Sequence, residues 1–188
     1  MDSVQDWRDG LRSGIRDGPA TAPVTIMELA DLECPACLAF QPTVNRIRKQ
    51  YPNQVAVVWV NFPLPYHRFA MGAARAAECA AALGSFGLWR DAVFEQQDSL
   101  GLKSWGTFAV AAGIADTGTI AQCARDPAPV AAIQAGRDFG TNIGLTGTPT
   151  VIINGWRFRS TPNPAELKAA VDAELHHRRP PGAVAAGN

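Results

Sequence analysis

The stretch Val24-Thr25-Ile26-Met27-Glu28-Leu29-Ala30-Asp31-Leu32-Glu33-Cys34-Pro35-Ala36-Cys37 runs from an apolar segment straight into two cysteines spaced Cys-x-x-Cys. Apart from Glu28, the first seven residues are apolar or β-branched, which predicts a buried strand. Asp31-Leu32-Glu33 turns the chain. Cys34 then falls at a helix N-cap and Pro35 at the first helical position, where proline's missing N–H costs nothing. The helix continues through 38–50, with Pro42 inside it as an expected kink. Two thiols on the first turn of a helix can exchange electrons as a pair. The thiolate is the nucleophile in such exchange. A helix N-terminus favours it through partial positive charge and unpaired N–H groups. Cys34 is therefore the expected attacking residue, and the deeper Cys37 the resolving one.

Working outward, Val55–Asn61 reads as a second strand carrying Trp59, followed by the loop Phe62-Pro63-Leu64-Pro65-Tyr66-His67. Over 69–139 alanine dominates and β-branched runs vanish, which predicts short helices near 68–83, 86–97, 104–113, 118–125 and 128–139. Phe86, Trp89, Phe94 and Trp105 are the expected core of this block. Strand character returns at Thr148-Pro149-Thr150-Val151-Ile152-Ile153. Asn154-Gly155 then signals a hairpin, with 156–159 as the return strand. A last helix over 164–176 is entered through Asn163 as N-cap. At the other end, Val4, Trp7, Leu11 and Ile15 fall at helical spacing, predicting a short amphipathic helix that Gly10 and Gly14 weaken. The order strand, helix, strand, helical block, hairpin, helix predicts an α/β core interrupted by an all-helical insertion. The expected divisions are an arm at 1–22, a discontinuous core at 23–66 and 146–177, an insertion at 67–145 and a disordered tail at 178–188.

Composition narrows the function classes. In 188 residues, 47% hydrophobic content supplies a core that does not depend on disulfides. Seventeen basic and 17 acidic residues balance, and no long basic run points to nucleic acid. No stretch has transmembrane length. The N-terminal residues carry Asp2, Asp6, Asp9 and Asp17 with no apolar segment of a secretory signal, so the sequence reads either as cytoplasmic or as lacking an export signal or anchor. The four cysteines, Cys34, Cys37, Cys79 and Cys123, are compatible with two disulfides without establishing them. A structural zinc site usually takes its four ligands as two close pairs. Here there is one close pair, and His67, His176 and His177 supply no second, so no metal is expected.

With these residues in view, the chain resembles the DsbA-like thiol–disulfide oxidoreductases, thioredoxin folds with a helical insertion. Cys34-Pro35-Ala36-Cys37 after the first strand, Pro42 in the following helix, Gly147-Thr148-Pro149-Thr150 ahead of an apolar strand, and the intervening helical block carry the likeness. The resemblance implies a cis Thr148–Pro149 peptide beside Cys34, where the Thr148 backbone would pair with an extended substrate. It implies that Glu28 is a buried acid able to relay the proton of Cys37. It also implies a second, structural disulfide between Cys79 and Cys123. Ala36 departs from the histidine of the most oxidising relatives, and Asp31 and Glu33, if close, would raise the pKa of Cys34. A less extreme thiolate is expected on both counts.

The resulting expectation is an enzyme, without cofactor, that exchanges a Cys34–Cys37 disulfide with substrate protein thiols. A monomeric dithiol oxidase of an extracytoplasmic or periplasmic compartment, re-oxidised by a membrane quinone-linked thiol oxidase, is the first form of it. A reductase or isomerase of the same fold and a non-catalytic, chaperone-like binding module are the alternatives.

Overall fold

The computed structural model describes residues 1–184. The arm supplies β1 (Asp2–Ser3), α1 (Trp7–Arg12) and β2 (Ile15–Asp17). Then come β3 (Val24–Ala30), α2 (Pro35–Gln50) and β4 (Val55–Asn61). The helical block holds α3 (Ala70–Ala82), α4 (Phe86–Glu95), a 3-10 turn at Gln97–Ser99, α5 (Trp105–Ala111), α6 (Thr117–Arg125) and α7 (Ala131–Asn142). The chain closes with β5 (Thr150–Ile153), β6 (Trp156–Arg157) and α8 (Pro164–Leu175).

The strands form one six-stranded sheet in the order β1-β6-β5-β3-β4-β2. β3 and β4 run parallel, with Glu28 opposite Trp59. The other pairs of neighbouring strands in this order run antiparallel. This is the thioredoxin-like α/β class that the sequence predicts. β3 and β4 are buried along their whole length, as expected of strands covered on both faces. Alternation sorts their side chains. Val24, Ile26, Val55 and Val57 pack with Phe40, Val44 and Ile47 of α2 and with Leu167 and Val171 of α8. Met27, Leu29, Val58 and Val60 face Trp7 of α1 and Phe139 of α7. A third cluster joins the helical block to the sheet's end: Trp59 meets Phe86 at 5.6 Å and Phe94 at 6.0 Å between ring centroids. Trp89, Phe86 and Phe94 are buried, and Trp105 packs at the cluster's edge.

The arm differs from the single helix its spacing predicts. The helix covers only Trp7–Arg12, and Ile15 pairs with Trp59 as part of an edge strand. Gly10 explains why a helix former would not serve there: a Cβ would lie 2.7 Å from the ring of Phe139. The turn after β5 uses Asn154 at φ 43° and Gly155 at φ 92°, conformations that suit Asn and Gly. The Asn154 side chain also accepts a hydrogen bond from the N–H of Thr25 at 2.8 Å, tying the hairpin to the start of β3. Of the expected tail, the described part packs back on the arm, where Val184 N–H donates to the Met1 carbonyl at 2.9 Å. Residues 185–188 lie outside the described residues.

Candidate functional site

α2 starts at Pro35 with Cys34 as its extended N-cap residue. The Cys34 carbonyl accepts from the N–H groups of Cys37 at 3.1 Å and Leu38 at 3.2 Å, which closes the turn. Both thiols are free, with Cys34 6% exposed and Cys37 wholly buried. Thr148–Pro149 is a cis peptide, and the Cys34 thiol donates to the Thr148 carbonyl at 3.4 Å. Residues 114 positions apart thus meet at one sulfur.

The two thiols differ sharply in acidity. Cys34 is drawn down to about 5, chiefly by a hydrogen bond from Cys37, opposed by desolvation and helped by Thr148 and the N–H groups of Cys37 and Ala36. The Thr148 hydroxyl is buried and makes no hydrogen bond of full geometry to another described residue, so it is free to lend this help. Cys37 is pushed far up, first by desolvation, then by its hydrogen bond to Cys34 and the nearby Glu28. Asp31 and Glu33 do not act as the sequence suggests. Their carboxylates turn toward the 64–69 segment: Asp31 accepts from Leu64 N–H at 2.8 Å and pairs with His67 Nδ1 at 2.8 Å, while Glu33 accepts from Phe69 N–H at 2.6 Å.

Glu28 lies on β3 with 1% of its surface exposed. Burial pushes its carboxyl up to about 7, against the pull of a hydrogen bond from Gln41 and the charge of Arg90. Gln41 Nε2 lies 3.0 and 3.3 Å from the two carboxylate oxygens. Sequence reasoning passed over Gln41, although it lies one helical turn after Cys37, the spacing that puts both on one face. It also passed over Gln97. That side chain reaches from the 3-10 turn of the helical block to donate to the carbonyls of Leu32 at 2.9 Å and Cys34 at 3.1 Å. Nothing in the local sequence marks Gln97, because its partners are backbone atoms more than 60 positions away.

Cys79 and Cys123 form a disulfide between α3 and α6, with Cα atoms 6.5 Å apart. They stand apart from the Cys34 constellation, inside the helical block. Among the described residues, no group of three or more His, Cys, Asp or Glu is arranged to hold a metal ion.

A Cys-x-x-Cys turn heading a helix, with a cis-proline loop facing it from the next strand pair, defines the thioredoxin-like class. The sequence model of the family described as Thioredoxin matches residues 12–173, and the chain belongs to that family. Among solved structures, BdbD from Bacillus subtilis superposes with a TM-score of 0.77 at 21% identity, covering 94% of this chain and 100% of that one, which speaks for the fold. DsbA2 from Pseudomonas aeruginosa is 29% identical with a TM-score of 0.62, covering 84% of this chain and 92% of the other. The chain is also 34% identical over 172 residues to a protein of Salinispora tropica named Na(+)/H(+) antiporter NhaA 3. A Mycolicibacterium gilvum protein named Na(+)/H(+) antiporter NhaA 1 is 33% identical over 168 residues. These matches cover 91% and 88% of this chain, but the chain spans only about a quarter of those relatives, 25% and 27%. No helix among the described residues is long and apolar enough to cross a membrane.

Proposed function

We propose that this chain is a thiol–disulfide oxidoreductase that works as a dithiol oxidase of substrate proteins. The observation that carries the reading is the placement of two free thiols on the first turn of α2, Cys34 against the cis Thr148–Pro149 peptide and Cys37 wholly buried behind it, which holds Cys34 down to about 5 and pushes Cys37 up. A thiolate so stabilised leaves a disulfide readily, so the oxidised pair gives up its bond to other thiols. In the first step a substrate thiolate attacks Cys34 Sγ. The Cys34–Cys37 bond breaks, and Cys37 leaves with the electron pair, taking its proton from Glu28. A second substrate thiolate then attacks the substrate sulfur of the mixed disulfide. Cys34 leaves as thiolate, the substrate keeps a disulfide, and two electrons remain on Cys34 and Cys37.

Thr148 and Pro149 take the part of a substrate ledge in this reading. The Thr148 backbone lies against Cys34, and Pro149, lacking an N–H, does not compete for the thiolate. The Cys79–Cys123 bridge is a structural staple of the 67–145 block, and it fits an oxidising, extracytoplasmic compartment better than a reducing one. On the same reading the chain acts as a monomer, and a membrane quinone-linked thiol oxidase restores the disulfide.

The test pairs a reduction potential with two turnover assays. Rapid oxidation of a reduced dithiol peptide, with a mixed disulfide trapped at Cys34 in a Cys37→Ala variant, is the expected result. An inert disulfide combined with efficient insulin reduction would replace the oxidase by a reductase. Restoration of scrambled substrates by a dimer would point to an isomerase. No trapped adduct, with Cys34 alkylated no faster than a free thiol at neutral pH, would leave a non-catalytic module.

A further inference from the structure

We propose that Gln41 is a positioning residue whose side-chain amide turns over each time Glu28 gains or loses a proton, keeping that acid hydrogen-bonded in both charge states. The inference rests on the reading of Glu28 as the proton relay for Cys37.

The observed orientation of the amide suits the charged state of Glu28 best. Gln41 Nε2, a donor, lies within 3.0 and 3.3 Å of both Glu28 oxygens. That arrangement suits a carboxylate, which accepts and cannot donate. The other end of the amide, Oε1, is buried and has no partner among the described residues. When Glu28 takes a proton on the oxygen nearer Nε2, that oxygen becomes an O–H donor facing an N–H donor, and only the second oxygen still accepts. A half-turn of the amide about its terminal bond replaces that conflict with an O–H to Oε1 hydrogen bond and satisfies the orphaned atom. Terminal amide torsions are soft and roughly two-fold, so the turn needs no backbone movement. A buried polar atom left unpaired is destabilising, which makes a fixed amide the worse alternative in one state or the other.

The surroundings leave Gln41 as the adjustable partner. Glu28 is paired in register with Trp59 of β4 and Val151 of β5, which do not titrate in the accessible range. From α2 it feels Cys37 and Gln41, and from α4 the charge of Arg90. Arg90 is itself committed to Asp91, with Nη2 2.7 Å from its carboxylate. Burial pushes the Glu28 carboxyl up to about 7 while the Gln41 hydrogen bond opposes it.

In the resolving direction Cys37 is the attacking thiol. The Cys37 S–H proton passes to the Glu28 carboxylate, and the Cys37 thiolate attacks Cys34 Sγ of a mixed disulfide. The Cys34–Cys37 bond forms, the Cys34–substrate bond breaks, and the substrate leaves as thiolate. Gln41 follows the proton by presenting Oε1 to the carboxyl it has just created.

The test uses the whole reduced chain and a preformed mixed disulfide of Cys34 with glutathione. NMR of the Gln41 side-chain NH2 and of the Glu28 carboxyl carbon across pH 5–9 is expected to give one shared midpoint. Gln41→Leu is expected to move the pH midpoint of glutathione release upward by about one unit, a roughly tenfold slower release below the midpoint. Glu28→Gln is expected to remove that pH dependence. If Glu28→Gln leaves the pH profile intact, the relay reading fails and this inference with it. If Glu28→Gln alters the profile but the Gln41 amide does not shift while Glu28 titrates, the relay stands and the turning amide is overturned. The NMR arm uses the unsubstituted chain, so poor folding of Gln41→Leu does not spare the proposal.

Discussion

Removing the Cys37 thiol tests what holds the Cys34 thiolate. The hydrogen bond from Cys37 is the largest influence drawing Cys34 to about 5, ahead of Thr148 and the backbone N–H groups. A hydrogen bond to a charged group contributes about 1.5–3 kcal/mol, and one pKa unit corresponds to about 1.4 kcal/mol. Cys37→Ala therefore moves the Cys34 midpoint upward by roughly one to two units, to about 6–7, with the remaining donors still holding it below an ordinary thiol. Cys37→Ser keeps a donor at the same place and moves the midpoint by less than Cys37→Ala does. The assay is the pH dependence of iodoacetamide alkylation, supported by thiolate absorbance near 240 nm. Cys37 is silent in the unsubstituted protein because it is wholly buried and its thiol is pushed far up. A Cys37→Ala midpoint indistinguishable from that of the parent would refute the assignment and leave the helix terminus alone as the cause. A midpoint restored to that of a free thiol would refute the part given to Thr148 and the backbone.

Glu28 ties stability to pH with a definite sign. Its folded pKa is raised to about 7 from an ordinary 4.5, so between these values the folded chain holds a proton that the unfolded chain has released. Stability from this group falls as pH rises through that window, by about 3 kcal/mol in all. Urea unfolding should show Glu28→Gln gaining on the parent between these pH values and holding a constant lead above them, and parallel curves would contradict it. The Cys79–Cys123 bridge closes a separation of 44 residues, so a Cys79→Ala/Cys123→Ala double variant should lose up to about 4 kcal/mol. An unchanged urea midpoint would show that the block is held by its aromatic core alone. Asp31→Ala strips the acceptor from the N–H groups of Glu33 and Leu64, and a loss of about 2–4 kcal/mol in the same assay is expected. A loss under about 0.5 kcal/mol would mean that water replaces the carboxylate without cost.

Much of the fold was legible because the central strands advertise themselves. Val24–Ala30 and Val55–Asn61 are continuous apolar runs bounded by turn residues, and both are strands over those same residues. Asn154-Gly155 marked the hairpin for a conformational reason that the backbone bears out. Short edge strands carry no such signal. Asp2–Ser3 and Ile15–Asp17 are too brief for a period-2 pattern, and the apolar residues between them mimic one helical face. At the site, spacing placed Cys34 and Cys37 on one turn, but what surrounds them came from afar. Thr148 reaches Cys34 across 114 positions, a meeting legible only through the resemblance of its Gly147-Thr148-Pro149-Thr150 motif, whereas Gln97 reaches it across 63 with no pattern to mark it. Asp31 shows the reverse error. Its sequence proximity to Cys34 suggested charge repulsion, whereas its side chain is spent on the backbone of Leu64 and the ring of His67. Gln41 was within reach of helical-face arithmetic and was missed because a glutamine draws no notice beside a Cys-x-x-Cys turn.

The arm places β1 on one outer edge of the sheet and β2 on the other, with α1 crossing beneath between them. One short segment, from Asp2 to Asp17, therefore guards both flanks of the redox core. Trimming the molecule to its central strands would uncover β6 and β4 together, two unpaired ladders on opposite sides of the same sheet. An object with two open edges can template neighbours in both directions, and so polymerise rather than merely pair. Protease nicking near Gly18 would thus matter less for the thiols than for whether the protein stays dispersed.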